Sequence, residues 1–299
     1  MALAEWSKVL AIMAPFGIAA GGLILADLAG RVPVMMLTLW RAIIPIVPLG
    51  LLGFLTGGWG ALEGGGILPL LFSGIVGVVI ADAAFNGSIY VVGARLGTLI
   101  FSLNAPFAAV LGYVILNEAV SVADCFGLLL VLSGITIAVK YRPRGGRENA
   151  ALLNSRRLIL GLAIGMLAAF AQASSAVIGR PVMADGADPF VAMCLRLMAG
   201  TAVLLLLRIM LPSIFAATPI RGQDARLCIF ASLVGIGIGV TCVFAALSGG
   251  DVAMVITLSS LTPIAVLPMI WWKFQVTPPW PTWAGAILAF AGSALIINW

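Results

Sequence analysis

Few residues of this chain can do chemistry, and those few sit where charge is costly. Asp82 is the only carboxylate near the middle of a long apolar stretch, and Asn86 follows at i+4 on the same helical face. A carboxyl group without a partner there would tend to keep its proton at neutral pH, the chemistry that proton-coupled movement needs. In a wet vestibule, or beside Arg41, it would stay ionised. Arg41 in TLWRAIIPIV and Arg196 in AMCLRLMAG lie 155 positions apart, at nearly the same depth of their apolar segments. An arginine below a membrane surface must snorkel or find an acceptor. Two readings stand for the pair: a structural charge bonded to a neighbouring helix end, or a gate that also anchors a solute carboxylate.

Further polar groups gather beside prolines. Asn104 stands two residues before Pro106, and Thr257, Ser259 and Ser260 precede Pro263. Proline breaks one intrahelical hydrogen bond and frees a carbonyl for a nearby hydroxyl, an amide or a ligand. Gln172, Ser174 and Ser175 form another such patch. A bond between helices accounts for any one of these residues. Taken together at mid-depth, Asp82, Asn86, Asn104, Gln172, Ser175, Ser259 and Ser260 are the expected lining of a central cavity.

Composition excludes most other classes of function. Across 299 residues the chain is 62% hydrophobic and 9% charged, too little polar surface to cover a soluble globule of that size. Mean hydropathy is +1.18. The net charge of +5 comes mainly from residues between apolar segments, so it reads as a topology signal and no nucleic-acid partner is expected. Histidine is absent, and Cys125, Cys194, Cys228 and Cys242 are scattered without metal-ligand spacing. No phosphate-binding glycine loop or nucleophile motif occurs. The sequence therefore predicts no cofactor, no metal site and no enzyme.

Ten stretches can each supply the roughly 20 apolar residues that a membrane span needs: 7–26, 34–55, 67–91, 96–116, 121–139, 158–178, 189–211, 227–247, 252–274 and 281–298. Short connections make consecutive helices antiparallel neighbours. The exception is the polar segment 141–157, which together with Lys140 holds Arg142, Arg144, Arg147, Arg156 and Arg157. It predicts a linker between two repeats, 1–140 and 158–299. The chain also says one thing twice. At an offset of 157, Gly93 falls on Gly250, Ser102 on Ser259, Pro106 on Pro263 and Ala108 on Ala265; one inserted residue later, Gly127 and Gly134 fall on Gly285 and Gly292. Five helices per copy is an odd number, so the second copy must insert upside down. The expected fold is an all-α membrane protein of ten transmembrane helices, two inverted five-helix repeats around a central cavity, complete as a monomer. Pairs such as Gly17 with Gly21 and Gly235 with Gly239 predict close helix packing, and Trp271, Trp272, Trp280, Trp283 and Trp299 predict an interfacial belt. The first apolar run lacks a basic leader and reads as a retained helix.

These features resemble the drug/metabolite transporter superfamily, in particular its ten-helix EamA-type carriers. The likeness rests on the doubled segment with Pro106 and Pro263, the Asn117-Glu118 turn, the glycines closing each half, and the Arg41/Arg196 pair, and it covers the whole chain. It implies secondary transport in the cell membrane, export of amino acids or similar small metabolites through a cavity lined by both halves. Alternatives are an uncoupled facilitator or channel, or a multidrug exporter. The small four-helix exporters carry a glutamate in the first helix, where this chain has Pro15 and Phe16. In the second copy Gln275 replaces Glu118. Charge counting places the linker, Arg31, Arg95, Arg221 and Arg226 in the cytoplasm. The resemblance implies instead that both termini lie there.

Overall fold

A polypeptide in hydrocarbon must satisfy its backbone polar groups internally, and continuous helices do so at every residue. The computed structural model describes residues 2–25, 28, 31–61, 64–141, 155–215, 222–274 and 279–298, and it is helical nearly throughout. Most of the linker, together with Arg221, Gln275 and Trp299, lies outside the described residues. Eight helices are long and apolar enough to span a membrane, and two shorter apolar ones close the halves. In chain order these are α1 (Ala2–Leu25), α2 (Val34–Ile43 resuming as Ile46–Leu55), α3 (Gly66–Val92), α4 (Gly97–Leu116) and α5 (Val122–Lys140). The second half has α6 (Ser155–Ala184), α7 (Pro189–Met210), α8 (Gln223–Ala246), α9 (Val252–Ser259 resuming as Thr262–Phe274) and α10 (Trp280–Asn298).

Every residue from Ala83 to Phe101 is helical. Even so, the Phe85 and Phe101 rings lie 4.4 Å apart, and Gly97 packs on Ile89. Sixteen residues of straight helix would separate the rings by about 24 Å, so the chain reverses between α3 and α4.

The two halves pack as a pseudo-twofold pair. Exchanging α1 with α6, α2 with α7, α3 with α8, α4 with α9 and α5 with α10 maps the main contacts onto one another: α1 on α8 becomes α6 on α3, while α4 on α9 and α5 on α10 map onto themselves. The sharpest case is α5 against α10. A Cβ on Gly127 would meet the Gly292 carbonyl at 2.8 Å, and one on Gly292 would meet the Gly127 carbonyl at 2.6 Å. Gly134 and Gly285 block each other in the same way, at 2.5 and 2.6 Å. The early glycine of each helix faces the late one of the other. That reversal is what a twofold axis in the membrane plane requires, and it makes the repeat an inverted one.

Both halves also deform at matching places. A π-helical stretch, Ile75–Asp82, interrupts α3, and another, Leu233–Val240, interrupts α8. Both α4 and α9 break just before their prolines, at Ser102–Leu103 and at Ser260–Leu261. Around the bundle, Val47, Phe54, Leu68, Ile209 and Trp272 are strongly exposed, as a lipid-facing surface demands. Trp271 and Trp283 meet edge to face at 6.4 Å near one end of α9 and α10.

At its four glycines the α5–α10 seam has no room for a Cβ. Replacing Gly134 with Leu should therefore lower the thermal unfolding midpoint of purified protein in detergent, by the equivalent of about 1–3 kcal/mol. Gly87→Ala, where the nearest atom to a new Cβ is 3.7 Å away, should leave the midpoint unchanged. Equal midpoints for the two variants would refute the tight seam.

Candidate functional site

The site begins with a helix crossing that has almost no room. The backbone of α3 at Gly74 lies directly against that of α7 at Arg196, and Gly77 faces the Arg196 guanidinium and Ser175. Arg196 is buried, 2% exposed. Its Nε donates to Ser73 Oγ at 3.0 Å, Nη2 to Ser175 Oγ at 2.8 Å, and Nη1 to Met193 Sδ at 2.9 Å. Phe244 of α8 stacks beneath it, 3.4 Å from guanidinium carbon to ring centroid. Ser73 and Ser175 also donate to each other's carbonyls, at 2.7 and 2.9 Å, which locks α3 to α6. A charge out of water needs such complete solvation by protein, and here four helices supply it.

Above this floor lies a cavity of about 210 Å³, lined by both halves. Gly77, Val78 and Asp82 reach it from the first π segment, and Gly235, Ile236 and Val240 from the second. The π segments thus form facing walls. Helices α1 and α8 come close behind them, since a Cβ on Gly21 would stand 2.6 Å from the Gly235 Cα. Tyr90 and Thr98, at the end where α3 turns into α4, mark the cavity's outer part. Tyr90 is pinned there by donating to the Val32 carbonyl at 2.6 Å.

Arg41 and Asp82 share this space but are held differently from Arg196. Arg41 Nη1 donates to Asn86 Oδ1 at 3.4 Å, a long bond, and its Nε is buried without an acceptor. Asn86 in turn donates to Thr38 Oγ1 at 3.1 Å. Asp82 lies in the field of both arginines, yet it makes no hydrogen bond or close ion pair among the described residues. Gln172 and Pro263 also line the cavity.

Four expected lining residues are engaged elsewhere. Asn104 Oδ1 accepts from Ser260 Oγ at 2.7 Å, and both residues are buried between α4 and α9. Ser259 donates to the Ile256 carbonyl at 2.9 Å. Ser175 belongs to the Arg196 shell. Pro106 lies beyond the break in α4, outside the lining. The physical reason is that a short polar side chain buried between helices takes the nearest partner, a carbonyl one turn back for Ser259 or a polar group on the facing helix for Ser175, Asn104 and Ser260. The carbonyl that Pro263 frees belongs to Ser259, and Thr262 Oγ1 fills it at 2.7 Å.

Toward the face where α4 ends and α9 begins, neither Leu116 nor Val252 lines the cavity. The Asn104–Ser260 bond lies just past it, and beyond that Glu118 joins the halves. Asn117 ends α4 in the left-handed conformation, φ 53°, and the Glu118 N–H closes the last turn on the Gly112 carbonyl at 3.2 Å. The Glu118 carboxylate then accepts the Val252 N–H at 2.9 Å, capping α9 of the other repeat, and stands 3.6 Å from Arg180 Nε. Burial, with the nearby Asp251 charge, raises the Glu118 carboxyl above a glutamate's usual 4.5, against the opposing pull of Val252 and Arg180.

Two facing repeats around a shared cavity that holds a few charged and polar groups, sheathed in apolar surface, define a multi-pass membrane transporter of the inverted-repeat class. The model of the EamA-like transporter family matches residues 6–140 and 159–298, and the chain belongs to that family. It therefore moves small solutes across a lipid bilayer. A solved structure, titled only as the crystal structure of a protein, is similar at TM-score 0.75 with 16% identity, over 98% of this chain and 95% of that one. That likeness shows the shared fold. No curated protein matches this chain.

The two arginines should respond differently to substitution. Arg196→Gln strips a buried shell of charged hydrogen bonds and should lower stability by about 3 kcal/mol or more. Arg41→Gln should cost less than about 1 kcal/mol, and thermal unfolding in detergent separates the two. Glu118 gives a pH signature. With its native pKa raised, the stability it confers is complete below about 4.5 and is lost as pH rises through the raised value. Unfolding midpoints measured across this range should fall with pH, and more steeply in the parent than in Glu118→Gln; parallel curves would refute the assignment.

Proposed function

We propose that this protein is a secondary carrier of the cell membrane that exports amino acids or similar small metabolites by alternating access. The observation that carries the reading is the position of the cavity. It is lined by both repeats, yet it occupies only one half of the molecule, and helix-to-helix bonds close the other half. In an inverted repeat the two copies can exchange conformations, and the cavity then changes faces without a change of fold. If the linker face is cytoplasmic, as the charge distribution favours, the cavity lies on the loading side for an exporter.

Asp82 is the candidate for proton coupling. It faces the cavity without a direct partner among the described residues, in an apolar surround and in the field of two guanidiniums. Proton binding would release the charge that ties it to Arg41 and Arg196. The residues that supply binding and positioning are then Arg41, Asp82, Asn86 and Gln172, with Arg196 as the structural charge beneath them.

Purified protein in liposomes should move members of a metabolite panel down their gradients, with saturation and with stimulation by counter-flow. Linear, unsaturable flux would favour a channel, and no flux across a broad panel would defeat the reading. Asp82→Asn should flatten the pH dependence of export; unchanged pH dependence would remove proton coupling and leave facilitated diffusion.

A further inference from the structure

Among the described residues, the charged ones that line the cavity are three: Arg41, Asp82 and Arg196. One carboxylate therefore serves two guanidiniums, and the lining carries a surplus positive charge. Asp82 lies in the field of both guanidiniums, and a single carboxylate offsets only one of them. Which guanidinium is open to a solute is decided by the bonds each already makes.

The geometry assigns the two arginines different availability. Arg196 has each of its nitrogens directed at Ser73, Ser175 or Met193, and Phe244 covers one face of its plane. A solute cannot displace those partners without parting α3, α6 and α8. Arg41 offers the opposite case: one long bond to Asn86, an orphaned buried Nε, and a place in the cavity wall. Gln172 lines the same space, and no hydrogen bond holds its side-chain amide among the described residues. Apolar surface is close by, where Phe85 and Phe101 meet with ring centroids 4.4 Å apart.

We propose that the solute supplies the missing negative charge: the cavity takes a compact organic monoanion, whose carboxylate docks on Arg41 and whose apolar body lies against Phe85 and Phe101. This rests on the carrier reading of the cavity and narrows it. A planar carboxylate matches the guanidinium fork and can accept two parallel N–H bonds. A phosphate monoester carries close to two charges near neutral pH and would overshoot a surplus of one. An amine would raise the surplus to two. A zwitterion would leave it unchanged, and its ammonium would compete with Arg196 for Asp82. Among amino acids and their relatives the site therefore favours those with net negative charge, including acidic, N-acylated and deaminated forms.

The test uses three probes with one aromatic body and different charge: 3-phenylpropanoate, phenylalanine and phenethylamine. Binding to purified full-length protein in nanodiscs is read by ligand-induced thermal stabilisation. The expected order is 3-phenylpropanoate first, phenylalanine weaker by at least about tenfold, and phenethylamine without measurable binding. Arg41→Gln should weaken 3-phenylpropanoate at least about tenfold and erase the preference, whereas Arg41→Lys, which keeps the charge but loses the fork, should retain part of it. Phenylalanine or phenethylamine binding as tightly as 3-phenylpropanoate overturns the proposal. So does a preference that survives Arg41→Gln, or no binding of any probe by protein that carries metabolite flux in liposomes. In each of these cases saturable liposome flux leaves the carrier reading standing, and only its absence would bring that reading down.

Discussion

Arg196 sits at the centre of the bundle, almost without contact with solvent, and a guanidinium there has to be solvated by protein. The donors and acceptors that do this come from α3 and α6, the sulfur from α7 itself, and the covering ring from α8. Each demand fixes a neighbour. Ser73 and Ser175 must face each other, which sets the depth at which α3 meets α6. The guanidinium must lie flat on Phe244, which sets α8 against α7. The close crossing at Gly74 and Gly77 follows, because no side chain on α3 could stand between its backbone and that of α7. Burying one charge therefore specifies four helices, which is dearer in desolvation than an apolar contact but far more directional.

The cavity is a consequence of this floor. Arg196 closes it from below, and the two π segments bulge into its sides from opposite halves. Arg41, at similar depth in the matching helix of the other repeat, has no equivalent shell. Symmetry of the backbone thus coexists with asymmetry of the side chains. The first repeat brings Asp82, Asn86 and the loosely held Arg41 to the cavity, while the second brings Gln172, the fully bonded Arg196 and the apolar wall of Gly235, Ile236 and Val240. Between the two repeats, scaffold is shared and recognition is divided.

Much of the architecture was legible in the residues. Hydropathy gave the ten spans because apolar length is a local property, and the prolines gave the breaks in α4 and α9 because proline acts on its own helix. Gly17, Gly21, Gly235 and Gly239 marked the close approach of α1 and α8, whereas the glycines of α5 and α10 stood out only as matched positions of the repeat. Where a property depends on which distant residue stands opposite, the sequence fell silent. It marked Asn104 and Ser260 as polar groups near prolines, but not that they bond to each other across the halves. It marked Arg41 and Arg196 as a pair and could not separate them, since Ser73, Ser175 and Phe244 carry no signal at any fixed spacing from Arg196. Glu118 was visible only as part of a turn, because the helix end it caps lies 134 positions on. The π segments left no mark that a period of 3.6 could reveal.

Those two segments have a consequence for helical phase. A π turn holds one residue more than the α turn it replaces, and each residue of an α-helix advances the side chains by about 100°. Everything after Asp82 on α3, including Asn86 and Tyr90, is therefore rotated relative to Gly74 by the surplus residue. The same holds on α8 between the glycines that admit α1 and Phe244, which carries Arg196. Each of these helices thus presents one face to its packing partner and a differently phased face to the cavity. The π segment is the clutch between them: a loss of one residue there could keep the helix intact, yet it would turn Asn86 and Tyr90 by about 100° from the directions they now hold toward the cavity.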